Sequence, residues 1–331
     1  MTRHDKLLLG LDLGKVTAIE IGALDNPIIP PTSPGVFYVD HMDTASLREK
    51  YRDHGYVNKD NLVHVNGVWG EKSLAEAAAS VAPVDCVVAS HLIEHVPDLV
   101  TWLNEVAAVL KPTGDLRLVI PDRRYTFDLL RTETVLADVM AAHLVRARIP
   151  QVREVIDYWA NAVHVVCHDV WAGTLDRTAL VKSHDISAIE RLARDVLENQ
   201  RYYDVHCWVF TPASFARLMM QLAELDYHTY TCVKLFDTEP YTLEFYVIAQ
   251  PGADKAEAIA SWRALHEQLA GPPPTRTPED VEAALAARDQ QIEQLRAHVA
   301  ALVHAVDEIK RSTSWRITAP IRAVKGVLPK G

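Results

Sequence analysis

The run DCVVASHLIEHVPDLVTWLNEVAAVLKPTGDLRLVIPD, from Asp85 to Asp122, constrains the fold more than any other part of the chain. It reads as a buried strand, a polar turn carrying His91, Glu94 and His95, an amphipathic helix, a Pro-Thr-Gly break and a second strand. Two parallel strands joined by a helix form a βαβ unit, which belongs to an open α/β sheet. In such sheets ligands bind at the carboxyl ends of the strands, where this turn puts its ionisable groups.

Similar units lie upstream. Val16 to Ile21 is apolar enough for a buried parallel strand and is followed by Gly22, Asp25, Asn26 and Pro27, which carry turn chemistry. Val36 to Val39 reads as a second strand ending in Asp40, Ser46 to Tyr51 as a helix, and Leu62 to Val65 as a third strand stopped by Asn66 and Gly67. Four successive strand ends thus carry Glu20 and Gly22, Asp40, Asn66, and Ser90 with His91. Strands alternating with helices predict a doubly wound sheet, and acidic groups at successive strand ends suit a bound nucleoside.

IEIG followed by an acid about twenty residues on, then DCVVASHLIEHVPD and LKPTGDLRLVIP, resembles the class I S-adenosylmethionine-dependent methyltransferases of the type 11 group. The resemblance runs from Thr17 to Tyr125 and, more weakly, from Asp204 to Gln250. There VHCWVF, CVKLFD and TLEFYVIAQ read as strands around a helix from Pro212 to Leu225. It implies a Rossmann-like seven-stranded sheet with S-adenosyl-L-methionine as cofactor. Carried over, Glu20 and Gly22 frame its methionine part, Asp40 binds the ribose hydroxyls, Asn66 meets the adenine, and Ser90 to His95 line the methyl-transfer pocket. The sequence departs from the family after Gly22, where Ala23, Leu24, Asp25, Asn26 and Pro27 replace further glycines, and at Asn66, where an acid is usual.

The expected organisation is a methyltransferase core over 1–126 and 203–250, a helical insertion or lid over 127–202, and a helix with a Pro-rich linker over 251–278. A coiled coil over 279–311 and a basic tail over 312–331 follow. The coiled coil is read from Val281, Leu285, Arg288, Ile292, Leu295, Val299, Leu302, Val306 and Ile309, which recur at spacings of four and three and predict homo-oligomers. The tail RSTSWRITAPIRAVKGVLPKG resembles those following coiled coils in bacterial polysaccharide glycosyltransferases and their companion methyltransferases. That resemblance implies a sugar or glycolipid acceptor, glycosyltransferase partners and peripheral contact with an anionic membrane. A net charge of -10 argues against a nucleic-acid partner. Four cysteines without C-x-x-C spacing read as free thiols of a cytoplasmic protein.

His91-Leu-Ile-Glu94-His95 also spells the inverted zinc-peptidase pattern H-x-x-E-H. A strand runs straight into His91 and Pro97 follows closely, so the sustained helix such a site needs is excluded. An ion held through Glu94 would lack other ligands that the sequence can name, so no resident metal is expected. A hydroxyl acceptor must lose its proton, and His91 is the first candidate base, with His206 second and His95 beside them. Arg123, Arg124 and Tyr125 could hold an anionic acceptor, or the arginines could pair with Asp122 and Asp128. Trp171, Tyr203 and Trp208 could stack on a sugar or belong to the core. The competing reading is a non-catalytic methyltransferase-like scaffold that organises glycosyltransferases.

Overall fold

A computed structural model describes residues 1–55 and 57–271, together with Glu293, Arg296 and Val299. Met1–Gly271 forms one compact unit. Its centre is a seven-stranded sheet: β1 (Ala18–Ile21), β2 (Val36–Asp40), β3 (Gly67–Val68), β4 (Val84–Ser90), β5 (Leu110–Pro121), β6 (Thr231–Phe236) and β7 (Glu244–Gln250). The order is β3-β2-β1-β4-β5-β7-β6, with only β7 antiparallel to its neighbours. The direction of strand addition reverses between β1 and β4, so these two frame the crevice in which such sheets take ligands. The fold expectation of a Rossmann-like seven-stranded sheet holds.

The helices are α1 (Arg3–Leu7), α2 (Thr44–Lys50), α3 (Leu74–Ala77), α4 (Leu99–Val109), α5 (Leu136–Leu144), α6 (Val152–Asn161), α7 (Cys167–Trp171), α8 (Ile189–Asn199), α9 (Pro212–Glu224) and α10 (Lys255–Ala270). Helix α4 starts where Asp98 caps the Thr101 amide at 2.9 Å. Its Leu99, Trp102, Leu103 and Val106 then recur at helical spacing and are fully buried. Strand alternation sends Ile19 and Ile21 into this large core, shared with α9 and α10, and sends Ala18 to the opposite face with Leu7, Ile28 and Ile29. Arg117 stitches the N-terminal segment to that second face, donating to the Leu7 and Leu9 carbonyls while its fork grips Asp115. No helix among the described residues is long and apolar enough to cross a membrane.

Two expectations change. The third strand is Gly67–Val68, not Leu62 to Val65: Val63 and Val65 are buried as side chains, and pairing with β2 begins at Asn66, whose amide donates to the Tyr38 carbonyl at 2.8 Å. VHCWVF is buried but forms no ladder; Cys207 and Trp208 amides both turn to the Glu94 carbonyl, leaving a single bridge between Phe210 and Asp122. The helix after β7 packs into the core, where Trp262 is completely buried and donates to the Tyr230 carbonyl at 2.8 Å. The Pro-Thr-Gly break survives as a bulge inside β5, where a side chain at Gly114 would press on the Val84 and Asp85 carbonyls. Helices α5 to α8 lie within residues 127–202. The coiled-coil and tail assignments lie outside the described residues, save that Glu293, Arg296 and Val299 are helical and exposed.

Candidate functional site

The carboxyl ends of β1, β2, β3 and β4 open onto one cleft of about 760 Å³. Gly22 and Leu24 come from the first strand end, Asp40 to Met42 from the second, and Trp69 and Gly70 from the third. The fourth contributes His91, Leu92 and the run His95 to Asp98, while Tyr202 and Asp204 close one side. This volume suits a nucleoside-sized ligand.

Of the residues expected to hold a cofactor, Gly22, Asp40 and His91 line the cleft. Gly22 has φ +71°, a left-handed conformation that favours glycine, and an added Cβ there would lie 3.3 Å from Leu92. Asp40 is buried at the end of β2; its Oδ1 accepts the His41 amide at 2.7 Å and faces His41 Nδ1 at 2.5 Å, while Oδ2 takes part in neither contact. The His41 ring in turn meets the Lys50 ammonium at 3.0 Å.

Glu20 and Asn66 serve the backbone instead and do not line the cleft. Glu20 shares Ala18's face of β1, where its two oxygens accept the Ile28 and Ile29 amides at 2.7 and 2.8 Å. Burial pushes its pKa up to about 7 against the pull of those amides. Asn66 Oδ1 accepts the Tyr38 amide at 2.8 Å, so with its own amide on the Tyr38 carbonyl it acts as an extra rung beside β2. The expected roles beside methionine and adenine therefore give way to structural ones.

The turn after β4 concentrates the ionisable groups. His91 adopts φ +50° and presents Nε2 to Glu244 Oε2 at 2.6 Å, with Nδ1 3.6 Å from Glu94 Oε1. Burial opposes charge on Glu244, yet His91, Tyr246 and Arg3 hold its pKa below the usual carboxylate value. Ser90 sits just behind and accepts from the Arg3 guanidinium at 2.5 Å. His95 Nδ1 lies 3.0 Å from Asp204 Oδ1 but out of hydrogen-bond alignment. Burial works against its charge, and the Asp204 contact with the nearby Glu94 carboxylate still lifts its pKa above the histidine norm. His206 packs edge-on against His95 with ring centroids 4.7 Å apart, and its Nδ1 faces Asp128 Oδ2 at 2.6 Å. The structure thus gathers all three candidate histidines, with His91 and His95 on the cleft and His206 behind them.

Arg123, Arg124 and Tyr125 do not reach the cleft. Arg124 grips Asp122 with Nε and Nη2 at 2.6–3.0 Å, Arg123 donates to the Leu129 carbonyl at 2.7 Å, and Tyr125 stacks on Trp171 at 4.2 Å. The ion-pair reading holds for Arg124, whereas Asp128 belongs to Arg131 and His206. Trp208 is core, and Tyr203 is tied to Asp195. Sequence reasoning missed Arg3 and Glu244, which reach the β4 turn from the two ends of the unit. Glu244 opened a strand already recognised, so its position facing a strand-end histidine was the available signal; Arg3 carried none.

The arrangement offers an acid for a vicinal diol at Asp40, a close backbone approach at Gly22, and a carboxylate-oriented imidazole at His91. Residues 36–229 match a family model described as a methyltransferase domain. No curated protein matches the chain. Among solved structures, the chain is similar to a Rhodobacter sphaeroides protein assigned as a zinc-dependent alcohol dehydrogenase, at 15% identity over 76% of this chain and 89% of that one, TM-score 0.41. It is also similar to the CcbJ methyltransferase of Streptomyces caelestis, at 14% identity over 71% and 89%, TM-score 0.36. A methyltransferase of Methanosarcina mazei aligns at 16% identity over 74% and 95%, TM-score 0.34.

Proposed function

The chain belongs to the methyltransferase-domain family, and from that premise we propose that it methylates a hydroxyl of a sugar or glycolipid in surface-polysaccharide assembly, with S-adenosyl-L-methionine as donor. The observation that carries the cofactor is the cleft itself, onto which four strand ends of the sheet open with a buried carboxylate at the second. Asp40 would hold the ribose hydroxyls through Oδ2, and Gly22 would let the backbone approach the donor closely. Bound there, the sulfonium supplies an electrophilic methyl group.

The acceptor side falls to the β4 turn. Glu244 orients His91 through Nε2, leaving Nδ1 to take a proton from an acceptor hydroxyl. Alignment of acceptor, methyl and sulfur contributes much of the acceleration, because methyl transfer disperses a charge rather than creating one. The sugar or glycolipid acceptor, the cytoplasmic site and the glycosyltransferase partners are supported by the Ser-Trp-Arg-Ile-Thr-Ala-Pro tail and its resemblance to polysaccharide-biosynthesis proteins. Calorimetry of the full chain with S-adenosylmethionine and S-adenosylhomocysteine tests the premise. Saturable heats in the micromolar range are expected; their absence at millimolar ligand overturns the enzyme reading in favour of a scaffold.

A further inference from the structure

Glu94 is completely buried, and neither carboxylate oxygen has a hydrogen-bond partner. A buried carboxyl group without a hydrogen-bond partner is costly, and a bound cation is one way a fold satisfies it. One ligand atom from each of Glu94, His95 and His206 lies within 4.8 Å of the others. His95 Nδ1 is buried and lies 3.0 Å from Asp204 Oδ1 without meeting hydrogen-bond geometry.

We infer that Glu94, His95 and His206 form a binding site for a divalent transition-metal ion of the zinc class, behind the stretch of cleft wall that His95 lines. Two imidazoles and a carboxylate are a donor set for such an ion, which leaves a fourth position open. His206 is prepared for the role: Asp128 holds its Nδ1 at 2.6 Å, and Arg131 Nη1 holds Asp128 at 2.8 Å, leaving Nε2 as the coordinating nitrogen. A carboxylate behind a coordinating histidine is the usual outer shell of a metal-binding imidazole.

The surrounding charges favour a cation. Glu94, Asp204 and Asp128 flank the two rings, and the Arg131 guanidinium is shared between Asp128 and Asp157. His91 Nδ1 stands 3.6 Å from Glu94, too far for a hydrogen bond. Tetrahedral ligation at about 2.0–2.2 Å would draw the three donor atoms together by roughly 1 Å, within reach of side-chain rotation. The H-x-x-E-H run thus contributes its last two residues to the site, and the third ligand, His206, comes from a segment distant in sequence rather than from His91. On the methyl-transfer reading, from which this deepening follows, His95 is the ligand that also lines the cleft, and an ion held there would favour deprotonation of an acceptor hydroxyl that reached it.

The test is metal binding by the untagged, chelator-stripped full chain, followed by calorimetry with Zn²⁺ and by the visible spectrum with Co²⁺. One equivalent of Zn²⁺ and the intense bands of four-coordinate Co²⁺ are expected. Glu94→Gln and His95→Ala should each weaken Zn²⁺ binding at least about 100-fold, and Asp128→Asn about 10- to 100-fold. Glu94→Gln keeps the side chain's shape and replaces one candidate ligand oxygen, so in chelator it should melt close to wild type, whereas only wild type should gain melting temperature on adding Zn²⁺. Lack of Zn²⁺ binding by wild type overturns the inference, as does equal binding by folded Glu94→Gln and His95→Ala. Methyl-donor calorimetry, run separately without metal, distinguishes failure of this site from failure of the methyl-transfer reading.

Discussion

Asp40→Asn isolates one oxygen of the carboxylate at the end of β2. Asparagine keeps an Oδ1 that can still accept the His41 amide, so the local turn has no reason to change. In place of Oδ2 it presents an NH₂ group, a donor, where a ribose hydroxyl would be donating. Because Oδ1 is already engaged by His41 at 2.5–2.7 Å, the structure leaves one oxygen fully available to a ligand. A single hydrogen bond to a charged acceptor contributes about 1.5–3 kcal/mol, which corresponds to a loss of affinity of about 10- to 150-fold. Calorimetry with S-adenosylhomocysteine, run on wild type and Asp40→Asn with circular dichroism as the folding control, reads that ratio. Unchanged affinity in a folded variant would refute the placement of the ribose at Asp40. A loss beyond about 1,000-fold would show instead that the His41 ring swings away and both oxygens bind the ligand.

Three further outcomes are expected. The folded-state pKa of Glu20, about 7, lies above its ordinary value of 4.5, so its contribution to stability is fully present below about pH 4.5 and is lost as pH rises through 7. That loss amounts to about 3 kcal/mol; Glu20→Gln should remove this slope, and parallel urea stabilities of variant and wild type between pH 5 and 8 would contradict it. Trp262→Ala should cost about 3–5 kcal/mol in urea unfolding, since it empties a fully buried site and orphans the Tyr230 carbonyl; a cost under about 1 kcal/mol would mean that α10 is dispensable. Removing the residues after Pro278 should leave a folded core and lower the molar mass of the assembly by light scattering, and an unchanged oligomeric state would reassign the apolar seam to another partner.

The parts of the site legible in the sequence are those built by local pattern. Gly22, Asp40, His91 and His95 each sit at the end of a strand recognisable from its own residues, and a doubly wound sheet delivers strand ends to one edge whatever else the chain does. Contacts between remote segments were not legible: nothing near Arg3 or Glu244 says that both meet at the β4 turn, and His206 lies in a segment whose apolar pattern reads as a strand. The two misassigned polar residues share a cause. The loop after β1 carries Pro27, Pro30, Pro31 and Pro34 where glycines would let the backbone turn on itself, so the Ile28 and Ile29 amides need an acceptor from elsewhere. Glu20 is the acceptor, and it leaves the ligand edge to become a brace. At the far end of this loop Gly35 allows a close approach, because any side chain there would collide with the Val16 carbonyl. Asn66 is likewise drawn to β2, where Tyr38 would otherwise lack a partner for its amide. A strand-end polar residue is therefore free to bind a ligand only when the adjoining loop satisfies its own backbone. The loop after β1 does not, so Glu20 turns away while Gly22, Asp40 and the β4 turn line the cleft.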